Sequence, residues 1–395
     1  MQHSAAAQPA PKLVDGHLAP QPERKSSVVL DERGLLDVPF LVLTVLLVII
    51  GVVMMFSASY ARAYYKEQNS TYYFARQALF ALVGIGMMLF VSRLNYQMWR
   101  GLSVFILAGA IFFLILVPFI GSEEGGAKRW IKIGILSFQP SEVAKVAVVM
   151  SFASLMSIYR EKMQTFRYGV LPFAVILVVV CGLVALERHF SGVLIILALG
   201  AAMMFLGGAQ LRWFAIGAAA VGIFAAVYLT TMGYASARVT AWRDPMSDPS
   251  DTGYQILQSL YAIGSGGLMG LGFGRSRQKY LYLPEEHNDY IFPIVCEELG
   301  FVGAVAVILL FVLLIVRGYW IAMHARDRFG ALLAAGLTTH LALQTFLNIG
   351  VVTNFLPSTG ISLPFFSYGG TALLIQLFEM GLILAVSRQN DNKLL

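Results

Sequence analysis

Residues 275–289 hold the densest group of side chains that could do chemistry. The group consists of Arg275, Arg277, Lys279, Glu285, Glu286, His287 and Asp289. Its cations suit recognition of a phosphate or pyrophosphate, and a carboxylate suits removal of a proton from an attacking hydroxyl. A solvated charge run is the ordinary alternative. The segment, however, ends at the edge of an apolar run, where it would meet a lipid headgroup, and this favours a site for a phosphate-bearing lipid.

Glu142 and Lys145, inside another apolar run, are a second candidate pair. They lie three positions apart and therefore share one face of a helix. A charge in the hydrocarbon costs at least about 2.5–3.5 kcal/mol, so such residues usually pair or line a polar cavity. A structural salt bridge is the alternative to a role in binding. Glu297, Glu298 and Glu379 also fall in apolar runs, and packing carboxylates are the simpler interpretation for them.

Common catalytic motifs do not occur in the sequence. The glycine-rich stretch 264–274 lacks the G-x-x-x-x-G-K-[ST] pattern and a preceding strand, so we expect it to serve close backbone packing or a re-entrant turn. No H-E-x-x-H, C-x-x-C or G-x-S-x-G motif is present, which leaves zinc hydrolase, redox and serine hydrolase functions without support. Cys181 and Cys296 lie in or beside apolar runs and predict neither a disulfide framework nor a thiolate metal site.

The elements that must position these residues are apolar runs of bilayer-crossing length. Of the 395 residues, 58% are hydrophobic and 13% are charged, and the mean hydropathy is +0.72. This composition excludes a soluble cytosolic enzyme, a secreted disulfide scaffold and a disordered chain. We predict an all-α polytopic membrane protein with about ten transmembrane helices. The expected spans are about 37–57, 74–92, 101–120, 141–158, 168–186, 190–207, 212–231, 291–316, 330–353 and 366–387.

The pattern divides the chain into three regions. Residues 1–33 predict a flexible cytoplasmic tail, 34–388 the membrane domain, and 389–395 a cytoplasmic C-terminal tail. Lys and Arg favour the loops that would be cytoplasmic, which places both termini inside and the large, structured loop 232–290 outside. Within that loop, apolar residues at helical spacing from Tyr254 to Ile263 predict an interfacial helix. The formal charge of +6 is spread over loops, so we expect the lipid bilayer, and no nucleic acid, as a partner.

Three stretches of the sequence closely resemble one family, the SEDS proteins (shape, elongation, division and sporulation). They are GGAKRWIKIGILSFQPSEVAK at 125–145, GYQILQSLYAIGSGGLMGLGFGRSRQKYLYLPEEHNDYIFPIVCEELGFVG at 253–303, and NIGVVTNFLPSTGISLPFFSYGGTALL at 348–374. The stretches occur in the family's order and cover most of the chain beyond the tail. GYQILQSL and LPFFSYGGTALL are more similar to the FtsW and SpoVE branch than to the RodA branch.

The resemblance implies a peptidoglycan glycosyltransferase that polymerises lipid II at the outer face of the bacterial cytoplasmic membrane, during septal synthesis, cell division or sporulation. Its general base would be Asp289, which matches the acid of the motif LPE-x-H-x-D-[FY]-IF. Trp130 matches a tryptophan of the first outer loop, and Glu142 with Lys145 matches PSE-x-x-K. Asn288 stands where threonine is usual, which leaves the acid intact.

A second departure affects the short turn after the fifth predicted span. There LERHFSG, at 186–192, replaces the commoner L-x-PD-x-G, which leaves the role of Glu187 to His189 open. The leaving pyrophosphate gains negative charge, which cations or a divalent metal ion would stabilise. Further candidate cations are Lys128, Arg129 and Arg243. Lys145 is preferred because a charge facing a membrane cavity acts most strongly. No metal ligands are assigned, and a divalent cation is the one cofactor considered.

Two other functions stay open at this point. Intramembrane charges are compatible with a transporter that flips lipid II, although no inverted repeat is visible and the polar residues concentrate at the outer face. The second alternative is a non-catalytic scaffold that recruits a class B penicillin-binding protein. Substitutions on its lipid-facing helix surfaces would then have the largest effect on function. The partners that the resemblance implies are lipid II, a class B penicillin-binding protein transpeptidase and other division proteins.

Overall fold

The computed structural model describes residues 34–124, 127–133, 136–219, 222, 240–250 and 253–389, and the backbone of residues 13–14 and 17–18. The helices are α1 Val38–Glu67, α2 Tyr72–Val91, α3 Gln97–Ile120, α4 Pro140–Ile158, α5 Phe166–Gly169, α6 Leu171–Leu186, α7 Phe190–Leu206, α8 211–219, α9 240–243, α10 Tyr254–Ser265, α11 Ile291–Met323, α12 Arg328–Val352 and α13 Gly370–Arg388. The strands are β1 Leu13–Val14, β2 His17–Leu18, β3 Ser122–Glu124, β4 Ala127–Ile133 and β5 Leu136–Phe138.

Eight of these helical segments are long and apolar enough to cross a membrane, within the described residues, and α7 is a shorter apolar helix. They correspond to nine of the ten predicted spans. The other span, 212–231, is described only at 212–219 and 222. The helix predicted from Tyr254 is confirmed as α10. The predicted tail 1–33 lies outside the described residues, apart from the backbone of β1 and β2.

The centre of the helix assembly is formed by α4, α12 and α13, the most buried of the candidate spans. α4 packs on α3, α7 and α12; α12 also packs on α11, and α13 packs on α2. Small residues such as Ser141, Ala144 and Ala147 are fully buried on α4, and small side chains let helix backbones approach closely in a membrane. The surrounding helices expose large apolar side chains on their outward faces, as expected for helices in contact with lipid.

The segment between α3 and α4, predicted as the first outer loop, holds a three-stranded antiparallel sheet in the order β3, β4, β5. The all-α prediction did not include it. In the β4 sequence AKRWIKI, the buried Ile131 is followed by the exposed Lys132, as expected for a strand with one covered face. The hydroxyl of Thr371, at the start of α13, donates to the carbonyl of Ser137 on β5 at 2.6 Å and attaches the sheet to the helix assembly.

α11 is broken at Gly300, where φ is 68° and ψ is −170°. The glycine-rich segment after α10 packs into the break. A Cβ on Gly270 would lie 2.2 Å from the carbonyl oxygen of Glu298, so no larger residue fits there. The amides of Leu271 and Gly272 donate to the carbonyls of Glu297 and Glu298 at 2.9 and 3.0 Å. The close backbone packing predicted for 264–274 is confirmed, and it satisfies carbonyls that the break leaves without helical partners.

Candidate functional site

Asp289 lies just before α11 and against the loop that joins α12 to α13. Its backbone carbonyl accepts a hydrogen bond of 2.7 Å from Nδ2 of Asn348, which also donates to the carbonyl of Ile361 at 2.6 Å. A Cβ added to Gly360, where φ is +65°, would lie 3.1 Å from Oδ2 of Asp289. The α12–α13 loop therefore holds the Asp289 backbone and passes close to its half-buried carboxyl group.

The two residues before Asp289 are held by the same loop. The carbonyl of His287 accepts from the backbone amide of Tyr368 at 2.8 Å, and that of Asn288 accepts from the hydroxyl of Ser367 at 2.7 Å. The His287 ring lies 5.3 Å from the Tyr73 ring and 5.9 Å from the Tyr368 ring, centroid to centroid. Burial lowers the pKa of His287 to about 3, so this ring is neutral at neutral pH.

The two glutamates of the segment are engaged inside the protein. Arg62, on the part of α1 beyond its apolar run, donates from Nε and Nη2 to the two carboxylate oxygens of Glu286 at 2.8 and 2.6 Å. Glu286 is fully buried. Glu285 accepts from Nδ2 of Asn288 at 2.5 Å. The bidentate pair anchors the segment to α1, which the sequence analysis ended near residue 57, well short of Arg62.

Lys279 is directed inward. It is buried, and its ammonium donates to Oε1 of Glu298 at 2.9 Å and to the hydroxyl of Ser57 at 3.1 Å. Glu298 also accepts from the backbone amides of Gly274 and Ser276 at 3.0 and 3.2 Å. The substrate-binding role predicted for Lys279 stays a prediction, and this geometry gives the residue a structural partner instead.

Arg275 and Arg277 point the other way. Both are exposed, and they border an open cavity of about 730 Å³. The cavity is lined by Gly274, Arg275, Ser276, Arg277, Gln278, Tyr280 and Tyr282. The backbone amide of Arg277 donates to Glu297 at 3.0 Å, so the inward backbone contacts direct the guanidinium groups outward. This arrangement suits an anionic group at the surface.

The Glu142–Lys145 pair is a buried salt bridge of 2.8 Å at the start of α4. The hydroxyl of Ser141 lies 3.2 Å from Nδ1 of His189, in the turn between α6 and α7. Burial, with the nearby charge of Arg129, lowers the pKa of His189 to about 4. The polar ends of α4 and the α6–α7 turn therefore meet at one side of the fold.

The remaining predicted site residues lie on β4 and α9. Nη2 of Arg129, on β4, donates to the carbonyl of Arg188 at 2.7 Å and joins the sheet to the α6–α7 turn. Trp130 is half-buried, and its carbonyl accepts from Ser122 at 3.2 Å. Lys128 is exposed on β4, and Arg243 is exposed on α9.

Comparison with known proteins identifies the family. The sequence model of the FtsW/RodA/SpoVE family, described as cell cycle protein, matches residues 38–392. The chain belongs to this family. It is 40% identical over 357 residues to a probable peptidoglycan glycosyltransferase FtsW of Geobacter sulfurreducens, covering 89% of this chain and 95% of the relative. It is 38% identical over 360 residues to stage V sporulation protein E of Bacillus subtilis, covering 89% and 97%.

Solved structures of other proteins share the fold. One, from a study titled structural coordination of polymerization and crosslinking by a peptidoglycan synthase complex, superposes with a TM-score of 0.76 at 27% identity, covering 91% of this chain and 99% of that one. The rod shape determining protein RodA of Thermus thermophilus gives a TM-score of 0.68 at 26% identity, covering 91% and 98%. The predicted family and the polytopic helical fold are therefore confirmed.

Placed in this family fold, the predicted residues form two neighbouring groups. His287 and Asp289 lie against the α12–α13 loop, and Glu285 and Glu286 directly precede them in the chain. Arg129, Glu142 and Lys145 lie around the α6–α7 turn. The hydroxyl of Ser191 in α7 donates to the carbonyl of Thr359, the residue before Gly360, and links the two groups. Within the described residues, no group of three or more His, Cys, Asp and Glu side chains is arranged to hold a metal ion.

Sequence reasoning did not single out Arg62, Asn348 or Gly360. Asn348 and Gly360 fall within the stretch 348–374 that carried the family resemblance, but nothing local marks them as neighbours of Asp289. Arg62 sits in an amphipathic continuation of α1, and its charge beyond an apolar run was the one available signal.

Proposed function

We propose that this integral membrane protein is a peptidoglycan glycosyltransferase that polymerises lipid II, with Asp289 as the general base. The observation that carries the proposal is the position of Asp289, whose backbone is hydrogen-bonded to Asn348 and whose carboxyl group passes beside Gly360. A general base must be held in position to accept a proton in the transition state, and these contacts hold Asp289 in place. The FtsW named among its relatives supports the same activity.

The reaction joins the 4-hydroxyl of an N-acetylglucosamine to the anomeric carbon of a lipid-linked N-acetylmuramic acid. The new C–O bond forms as the bond from the anomeric carbon to the pyrophosphate oxygen breaks, with inversion. The hydroxyl proton passes to the Asp289 carboxylate, and the pyrophosphate keeps the electron pair of the broken bond. Cations stabilise its growing charge. Arg129, Lys145, Arg243, Arg275 and Arg277 are the cations that we assign to this task.

The same proposal sets the surroundings of the enzyme. Both termini lie in the cytoplasm of a bacterium, and the site faces outward, where 232–290 forms a large loop. The partner is a class B penicillin-binding protein, supported by the similarity to a chain from a peptidoglycan synthase complex. Septal synthesis in division or sporulation is the cellular setting, supported by the names of the relatives.

Polymerisation of lipid II by the purified protein with its class B penicillin-binding protein tests the function. We expect glycan strands from the wild-type pair and none from the penicillin-binding protein alone. Liposomes that hold labelled lipid II in one leaflet report transport in parallel. Movement of lipid II between leaflets without strand synthesis would contradict the proposal and favour a transporter. The absence of both activities would favour a scaffold.

We expect Lys145 to contribute to catalysis beyond its salt bridge. Lys145→Met alone leaves the buried Glu142 carboxylate unpaired, which destabilises a protein by about 3–5 kcal/mol. The informative variant is therefore Glu142→Gln/Lys145→Met, which removes both charges. We predict that it unfolds at the wild-type temperature but polymerises lipid II at least about tenfold more slowly, because a cation near the leaving group is lost. Full activity of this folded double variant would exclude Lys145 from pyrophosphate stabilisation.

A further inference from the structure

The turn between α6 and α7 buries Glu187 and His189, while Arg188 between them and the apolar residues on either side are exposed. Glu187 is 3% exposed and His189 is 9% exposed, whereas Leu186 and Phe190 on either side are 71% and 44% exposed. Arg188 between them adopts φ of +55°, a left-handed conformation that non-glycine residues rarely take. The backbone is thus shaped to direct an acid and an imidazole into the protein at the edge of the membrane domain.

The Glu187 carboxyl group lacks a hydrogen-bond partner. Both of its oxygens are buried, and neither is bonded to any other group in the described chain. More than nine in ten buried polar groups in proteins are paired, so an exception needs a reason. A second unpaired group lies on the α12–α13 loop. The Thr359 hydroxyl is also buried and has no hydrogen-bond partner among the described residues. Ser191, four residues after Glu187, donates to the Thr359 carbonyl and holds the two segments together.

The charges around Glu187 are already engaged. Arg129 donates to the carbonyl of Arg188 at 2.7 Å, and Lys145 is paired with Glu142 at 2.8 Å. Burial raises the pKa of Glu187 to about 8, with Arg129 opposing the rise. The carboxyl group is therefore mostly protonated at neutral pH, when it offers one O–H donor and one carbonyl acceptor. A neutral group of this kind suits an uncharged polar ligand better than an ion.

We propose that Glu187 and Thr359 form a binding subsite for the acetamido group of an N-acetylated amino sugar. In a secondary amide, the carbonyl oxygen and the N–H point in opposite directions, so two separate protein groups must satisfy them. The Glu187 O–H donates to the amide carbonyl, and the Thr359 hydroxyl oxygen accepts from the amide N–H. Gly360, next to Thr359, lies against the Asp289 carboxyl group, which places the subsite beside the proposed base.

The inference rests on the proposed function for its substrate, since both sugars of lipid II carry acetamido groups. It adds a residue from the turn in which this sequence departs from the commoner L-x-PD-x-G pattern. The subsite would select acetamido sugars and would not take part in bond making or breaking. Its loss should consequently weaken binding and leave the rate at saturating substrate nearly unchanged.

The test measures equilibrium binding to the purified full chain in detergent. The probes are lipid II and an analogue with hydroxyl groups in place of the acetamido groups. We expect the wild-type protein to prefer lipid II, and Glu187→Leu to reduce that preference about tenfold. Glu187→Leu should stay folded, because an apolar side chain replaces an unpaired buried carboxyl group. Glu187→Gln, which keeps a donor and an acceptor, should stay close to wild type.

Two results would overturn the inference. Glu187→Leu with an unchanged preference would make Glu187 a merely buried residue. If Glu187→Gln reduces the preference for lipid II as much as Glu187→Leu does, the ionised carboxylate is needed. Failure of the proposed function can be distinguished from failure of this inference. Selective binding of lipid II without strand synthesis would contradict the function but support the subsite. Strand synthesis without any effect of Glu187 on binding would remove the subsite alone.

The pH dependence of binding gives an independent readout. Arg129 on β4 is the charged group that acts on Glu187. Glu142 and Lys145 on α4 act on His189, the next titratable group of the turn. His189, with its pKa near 4, is neutral throughout the range from about pH 6 to about pH 9. Wild-type affinity for lipid II should fall as the pH rises through about 8, where Glu187 ionises, and Glu187→Gln should lack this fall. A fall of equal size in Glu187→Gln would assign the titration to another group and contradict the inference.

Discussion

We expect Asp289→Asn to lower the rate of lipid II polymerisation by about 10²- to 10⁴-fold, the usual contribution of a positioned general base. Asparagine has the shape of aspartate but does not accept the proton of the attacking hydroxyl. The backbone hydrogen bond from Asn348 to residue 289 does not involve the side chain, so the variant should keep the local structure. Strand synthesis with the partner transpeptidase, measured at saturating lipid II, reports the change.

Asp244→Asn is a matched control for this prediction. Asp244 is an exposed acid of the same segment between α8 and α11, and its carboxyl group accepts from the amide of Met246 at the start of a short helical turn. The asparagine there still caps the turn, so we expect wild-type activity. Both variants should unfold at the wild-type temperature in detergent. Equal polymerase rates in Asp289→Asn and wild type would exclude Asp289 as the base.

The fold was largely predictable because a bilayer imposes length and hydrophobicity on each span. The prediction ended α1 near residue 57, since hydropathy reports where lipid contact ends and not where a helix ends. The helix continues to Glu67 because residues beyond the apolar run are good helix formers and Arg62 pairs with Glu286. The small sheet between α3 and α4 was missed for a related reason, because counting spans says nothing about the structure of the segments that join them.

The site was predictable as a set of residues but not as an arrangement. Local sequence placed Lys279, Glu286 and Asp289 in one cluster, yet the fold gives them different surroundings. Glu286 pairs with Arg62 and Lys279 with Glu298 and Ser57, partners that lie far away in sequence or on another helix. The glycine break at Gly300 determines where the Glu298 side chain and carbonyl lie, and no spacing rule reveals such a contact.

Glu298→Leu is expected to cause the largest loss of stability among single substitutions in the first two turns of α11. The buried Glu298 carboxylate accepts from Ser57 at 2.7 Å, from the Lys279 ammonium at 2.9 Å and from the amide of Gly274 at 3.0 Å. Leucine leaves a buried cation and several donors without a partner. Removing one member of a buried ion pair costs about 3–5 kcal/mol, so thermal unfolding in detergent should occur at a clearly lower temperature.

Glu161→Leu is the control, since Glu161 is exposed in the short helical turn Arg160–Lys162 and should change stability little. A double variant shows whether the ion pair or the backbone amides hold residues 274–279 in place. If Glu298 anchors residues 274–279, Glu298→Leu/Lys279→Met should recover part of the lost stability, because the unpaired cation is removed as well. No recovery in the double variant would locate the loss in the backbone amides of Gly274 and Ser276. The anchoring of the cavity-lining arginines would then depend on those amides and not on the ion pair.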